Sequence, residues 1–134
     1  MKFVEWCDLF LIGHQIIDKQ HQVLFDISNK FHDQVNKGFN KKRIIETLNE
    51  LINYAEKHFD TEECIIEKFN LPRALIDNHK NIHENLITEV FQLNEDFASG
   101  KITSMYDIEK FLTKWLILHI LIEDKKYKDY LLTT

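Results

Sequence analysis

Two pairs of residues in this sequence have the spacing of a coordinating helix face: His58 with Glu62, and His79 with His83. Residues four apart lie one turn apart on the same side of an α-helix, so both side chains of a pair reach one point. Imidazole and carboxylate groups placed in this way serve as metal ligands, and imidazole suits zinc, copper and nickel as well as iron. Three more such residues, His21, His119 and Asp124, interrupt stretches that are otherwise apolar. A buried polar group without a partner costs about 1–3 kcal/mol. A domain has only about 5–15 kcal/mol of net stability, so seven such groups need a common partner. His119 and Asp124 fit less regularly. Five residues apart, they diverge by about 140° on a straight α-helix. Either the site is wide enough to be reached from both sides, or the last helix carries a local π-turn.

The residues that must position these seven fall into four amphipathic stretches with apolar steps of three and four, the helical period. The first covers about 18–37, with Leu24, Phe25, Ser28 and Phe31 inward and Gly38 as its stop. The second covers about 41–69 after Asn40, a good N-cap. The third begins at Pro72, suited to a first helical turn, and ends at Gly100. The fourth follows Ser104, which forms a capping box with Asp107, and runs to about 129. The expected fold is all-α, an antiparallel up-down-up-down four-helix bundle (18–130) behind an N-terminal arm (1–17), in one domain spanning 1–134. In that topology the start of the first helix, the end of the second, the start of the third and the end of the fourth share one end of the bundle. Those are the places that hold the seven groups.

Composition narrows the function classes. The chain has 134 residues, three glycines and one proline, too few turn-formers for a sandwich or barrel. Its net charge is −5 and no basic stripe appears, so nucleic acid is not an expected partner. Lys41-Lys42-Arg43 reads as a solvated helix start. Cys7 and Cys64 make no disulfide framework and read as reduced thiols. Acidic residues come early, against a secretory signal. The longest apolar run, Trp115 to Ile122, contains His119 and falls well short of the roughly 20 residues of a membrane span. A soluble, cytoplasmic protein with no membrane partner is expected.

Ligand counting extends the chemistry. One structural zinc takes four ligands, so seven donors are too many for one ion and too few for two closed octahedra. Two ions bridged by Glu62, Asp124 and one solvent oxygen, with the histidines divided three and two, leave a single open position. Imidazoles outnumber carboxylates five to two, whereas carboxylate-rich sites with Glu-x-x-His motifs mark the diiron oxidases and ferritins. Neutral ligands favour the higher oxidation states less, so reversible binding of a small molecule is favoured over oxygen activation.

The motifs taken together resemble the hemerythrins, specifically the single-domain bacterial hemerythrins, over essentially the whole chain. They are Trp6, Gly13 and Ile17-Asp18-Lys19-Gln20-His21; then His58-Phe59-Asp60-Thr61-Glu62-Glu63; then His79-x-x-x-His83; and last Trp115-Leu116-x-x-His119-Ile120-x-x-x-Asp124-x-x-Tyr127. The resemblance implies two non-haem iron ions, cycling between Fe2+ and Fe3+ and bridged by Glu62, Asp124 and a hydroxide or oxo group. It implies that His79, His83 and His119 hold the six-coordinate iron. His21 and His58 hold the iron that binds dioxygen, and Leu24, Phe59, Trp115, Leu116 and Ile120 line an apolar pocket. Ile66 stands where the family often has Met, and Leu71 where Tyr is common, two apolar exchanges that bear on pocket size.

The expected function is reversible dioxygen binding for storage, delivery or buffering, without catalysis. The alternatives are oxygen or redox sensing, and a diiron peroxidase or nitric oxide-reactive enzyme, which needs an extra proton donor at the open site. A downstream oxygen-using or redox partner is compatible with either. His14 and His32 match no ligand position, and Glu63 reads as a solvated charge. Gln20 and Asp18 are candidates to accept the outer N–H of a ligating histidine. Tyr127 is expected to pack near the site.

Overall fold

The computed structural model describes residues 5–38, 40–69, 71–101 and 104–128, and of Leu118, Leu121 and Tyr127 only the backbone. The expected role of Tyr127 therefore lies outside the described side chains. Four helices carry the fold: α1 (Gln15–Asn36), α2 (Lys41–Glu67), α3 (Arg73–Ala98) and α4 (Met105–Leu118). No strand occurs among the described residues. Short connections make successive helices antiparallel neighbours. Helix α1 packs on α2 and α4, and α2 packs on α3. The Trp115 indole N–H donates to the Leu86 carbonyl at 2.9 Å, joining α4 to α3.

The helix boundaries have local causes. Asn40 accepts from the Arg43 N–H at 3.2 Å and starts α2. Ser104 accepts from the Asp107 N–H at 3.3 Å and starts α4. Gly38 follows the end of α1 with φ at +125°, a conformation that disfavours a side chain. Pro72 caps α3 from outside rather than opening it.

Helix α1 begins at Gln15, three residues earlier than the apolar period indicates. Its first turn is held by the arm, where Asp18 accepts the N–H groups of Ile12 at 2.8 Å and Gly13 at 3.2 Å. Asp18 therefore ties down the arm and serves no histidine. Within the arm, Asp8–Phe10 forms a 3-10 turn, and Phe10 and Trp6 stack on each other and edge onto Phe25.

The fourth helix does not run on unbroken. After Leu118 the backbone passes into a π-turn, His119–Glu123, and then a 3-10 turn, Asp124–Tyr127. Of the two expectations for this segment, the π-turn is the one the structure adopts.

The main apolar core joins all four helices through Phe25, Phe31, Leu48, Leu51, Val90, Phe97, Ile108 and Leu112. A second, smaller cluster of Ile12, Ile17, Ile66, Leu71 and Ile76 lies under the arm. The two positions where the sequence departs from the family pattern, Ile66 and Leu71, both sit there. No helix among the described residues is long and apolar enough to cross a membrane.

Candidate metal centre

All seven predicted residues are buried, and the fold brings them together at one end of the bundle. Helix α1 contributes His21 from its second turn. Helix α2 contributes His58 and Glu62 near its end, and α3 contributes His79 and His83 near its start. The π-turn and the 3-10 turn contribute His119 and Asp124. A local π-turn adds a residue to the turn and carries Asp124 round to the side of His119.

Glu62 and Asp124 stand in the middle. Glu62 Oε1 is 2.6 Å from His79 Nε2 and 3.1 Å from His83 Nε2, while its Oε2 is 3.0 Å from His58 Nε2. Asp124 Oδ1 is 3.0 Å from His79 Nε2 and 3.1 Å from His119 Nε2, and its Oδ2 is 2.9 Å from His21 Nε2. Each carboxylate thus has one oxygen toward the His21–His58 pair and one toward the other three rings. The donor atoms form two groups that share both acids: Glu62, His79, His83, His119 and Asp124, and His21, His58, Glu62 and Asp124.

These distances are close, yet most of the atoms are not aligned as hydrogen bonds. Among the described residues, Nε2 of His21, His58 and His119, Oε2 of Glu62 and both oxygens of Asp124 are buried without a hydrogen-bond partner. Buried polar groups left in this state are rare and call for an explanation such as an ion. Nitrogen and oxygen lone pairs that converge on shared points provide it. The donor set, five imidazoles and two carboxylates, fits iron and other first-row divalent ions.

With protons rather than cations in the site, the electrostatics are polarised. Burial pushes His21 and His79 toward neutrality, but the Asp124 and Glu62 carboxylates beside them prevail and raise them to about 9 and about 10. His119 is lowered to about 4, because burial there outweighs the attraction of the same acids. Burial opposes ionisation of Glu62 and Asp124. The surrounding imidazoles nevertheless keep Glu62 well below the usual carboxylate range and Asp124 below it.

The outer face of the rings is held by side chains. His58 Nδ1 donates to Gln20 Oε1 at 2.7 Å, as the sequence suggests. His83 Nδ1 donates to Glu63 Oε2 at 2.8 Å. Glu63 is therefore no solvated charge. It lies one position round α2 from Glu62, and α3 passes close enough for its carboxylate to reach His83. The adjacent Glu62-Glu63 pair was the only signal of this in the sequence. His32 is not idle either: it meets Glu109 of α4 at 2.8 Å and ties α1 to it. His14 has its ring beside Phe69, away from the centre.

The five predicted pocket residues are all buried in the main apolar cluster. Phe59 stacks face to face on His83, with ring centroids 4.0 Å apart, and meets His119 edge-on. Leu24 lies one turn along α1 from His21. Trp115, Leu116 and Ile120 flank His119, and Trp115 lies beside Phe59.

Comparison with known proteins identifies the family. Residues 13–131 match the family model described as the hemerythrin HHE cation binding domain. The chain is 32% identical to a bacteriohemerythrin of Pseudomonas aeruginosa over 131 residues, covering 96% of this chain and 82% of that protein. It is 33% identical to a bacteriohemerythrin of Clostridium acetobutylicum, covering 92% and 98%. Among solved structures it superimposes on a wild-type hemerythrin with a TM-score of 0.82 at 30% identity, covering 96% and 97%. The chain belongs to the hemerythrin family.

Proposed function

We propose that the protein is a non-haem diiron protein that binds dioxygen reversibly and so stores, delivers or buffers it. One observation carries the reading: Glu62 and Asp124 belong to both donor groups, so two cations held there share them. In this reading His79, His83 and His119 hold one iron and His21 and His58 the other. Glu62 and Asp124, common to both groups, would serve both ions, and residues 1–134 would act as one domain. The four-donor group offers fewer protein ligands than the five-donor group, so a small molecule would be taken on the His21–His58 side. The iron pair supplies the reversible redox chemistry toward dioxygen.

The protein's own part is to orient and to exclude. Gln20 and Glu63 hold His58 and His83 in the tautomer that leaves Nε2 free for the site. Leu24, Phe59, Trp115, Leu116 and Ile120 keep water from the centre, which disfavours the charge separation that ends in irreversible oxidation. The one polar atom of this lining, the Trp115 indole N–H, is already committed to Leu86.

The test is optical and stoichiometric. The reduced protein should contain two irons per chain, gain a visible absorption band in air and lose it again under argon. One iron per chain, or irreversible oxidation at first contact with air, overturns the reading.

A further inference from the structure

Two histidines of the centre donate their outer N–H to side chains of different charge. His58 donates to the neutral amide oxygen of Gln20 at 2.7 Å, and His83 to the carboxylate of Glu63 at 2.8 Å. An anionic acceptor forms the stronger bond and makes the ring the better donor at its other nitrogen. His83 is also fixed on its face by Phe59, whose ring is inclined to it by only 9°. The His83 side chain is 2% exposed and that of Glu63 24%, so Glu63 reaches the ring from a cleft between α2 and α3, between bulk water and the centre. By contrast, the Nδ1 atoms of His21 and His119 have no hydrogen-bond partner among the described residues. His83 belongs to the five-donor group and His58 to the four-donor group.

We infer that Glu63 is a positioning residue that makes the His79–His83–His119 position the tighter and first-filled of two metal positions, with Gln20 its weaker counterpart at the other. The inference rests on the two-metal reading above. It concerns the order and strength of filling, to which Glu63 adds beyond the difference in ligand number.

Cobalt(II) is titrated anaerobically into the full metal-free chain and followed by calorimetry and d–d absorption. The wild type should take up two equivalents in two resolved steps. Glu63→Gln should still take up two, with the first step weakened about 10- to 100-fold and the second unchanged. Gln20→Glu should strengthen the second step about tenfold and leave the first alone, a reciprocal change that a merely structural role does not produce. Circular dichroism checks folding, and if Glu63→Gln loses helicity, the Gln20→Glu titration decides. A Glu63→Gln curve that overlays the wild type, equal weakening of both steps, or no effect of Gln20→Glu overturns the assignment. Uptake of fewer than two equivalents by the wild type overturns the two-metal reading, and this assignment with it.

Discussion

His119 Nε2 lies 3.1 Å from Asp124 Oδ1 although the two residues are five apart in the chain. On a regular α-helix they would diverge by about 140°. The π-turn His119–Glu123 removes that divergence. Such turns are rare and concentrate at functional sites. Here the turn lets Asp124 approach His119 and His79 through one oxygen and His21 through the other.

Asp124→Asn tests that placement. The exchange keeps the shape and removes the charge that His21 and His79 face. Breaking a buried ion pair on one side costs about 3–5 kcal/mol, so the metal-free variant should unfold at a clearly lower urea concentration than the wild type. Its iron content should fall from two per chain to one or none by elemental analysis. A variant that keeps two irons at wild-type affinity contradicts a bridging role.

Metal loading should release protons in a pH-dependent way. His21 and His79, at about 9 and about 10, are protonated at neutral pH in the metal-free protein, whereas His119, at about 4, is not. Metal binds only deprotonated imidazole. Proton release on loading should therefore be larger by both these protons near pH 7 than near pH 11, read with a weakly buffered indicator. Equal release at the two values would contradict the shifts.

The same groups set the stability of the metal-free chain. The raised histidines contribute fully below their ordinary value of 6.5, and that contribution is lost as pH rises through about 9 to about 10. Glu62 and Asp124, held low, contribute above the carboxylate range and lose it on acidification. His119, lowered to about 4, adds stability above 6.5 that is lost as pH falls toward 4. Urea midpoints measured against pH should peak near 6.5 and fall steadily from there to about 10. A midpoint still rising above 10 would count against the paired histidines.

Phe59→Ala should cost about 3–5 kcal/mol, the usual loss for a large buried aromatic. It also uncovers the face of His83 and opens the apolar lining to water. Autoxidation of the oxygenated protein, followed by decay of its visible band, should accelerate. Unchanged autoxidation in a correctly folded variant would remove Phe59 from the pocket.

Asp18→Ala should act on the arm alone. It strands the buried N–H of Ile12, at about 1–3 kcal/mol for an unsatisfied donor, and releases the N–H of the exposed Gly13 to water. Limited proteolysis within residues 5–14 should become faster while iron content stays at the wild-type level. Loss of iron with an intact arm would give Asp18 a role in the centre after all.

Much of this protein is legible in its sequence because the signals are local and periodic. Apolar steps of three and four mark four helices, Asn40 and Ser104 announce their starts, and helix direction alone brings the seven polar interruptions to one end. The sequence also narrows the His119–Asp124 spacing to two geometries but cannot choose, since α and π backbones are open to the same residues and packing decides between them. Glu63 reads as a surface charge because helical phase describes only its own helix, and its partner lies on α3. Asp18 reads as equally suited to a histidine or a backbone until the arm folds over it. Spacing along one element is written in the chain. Which groups meet across elements, and where a helix gives up its regular ladder, is set by the packing of all four helices at once.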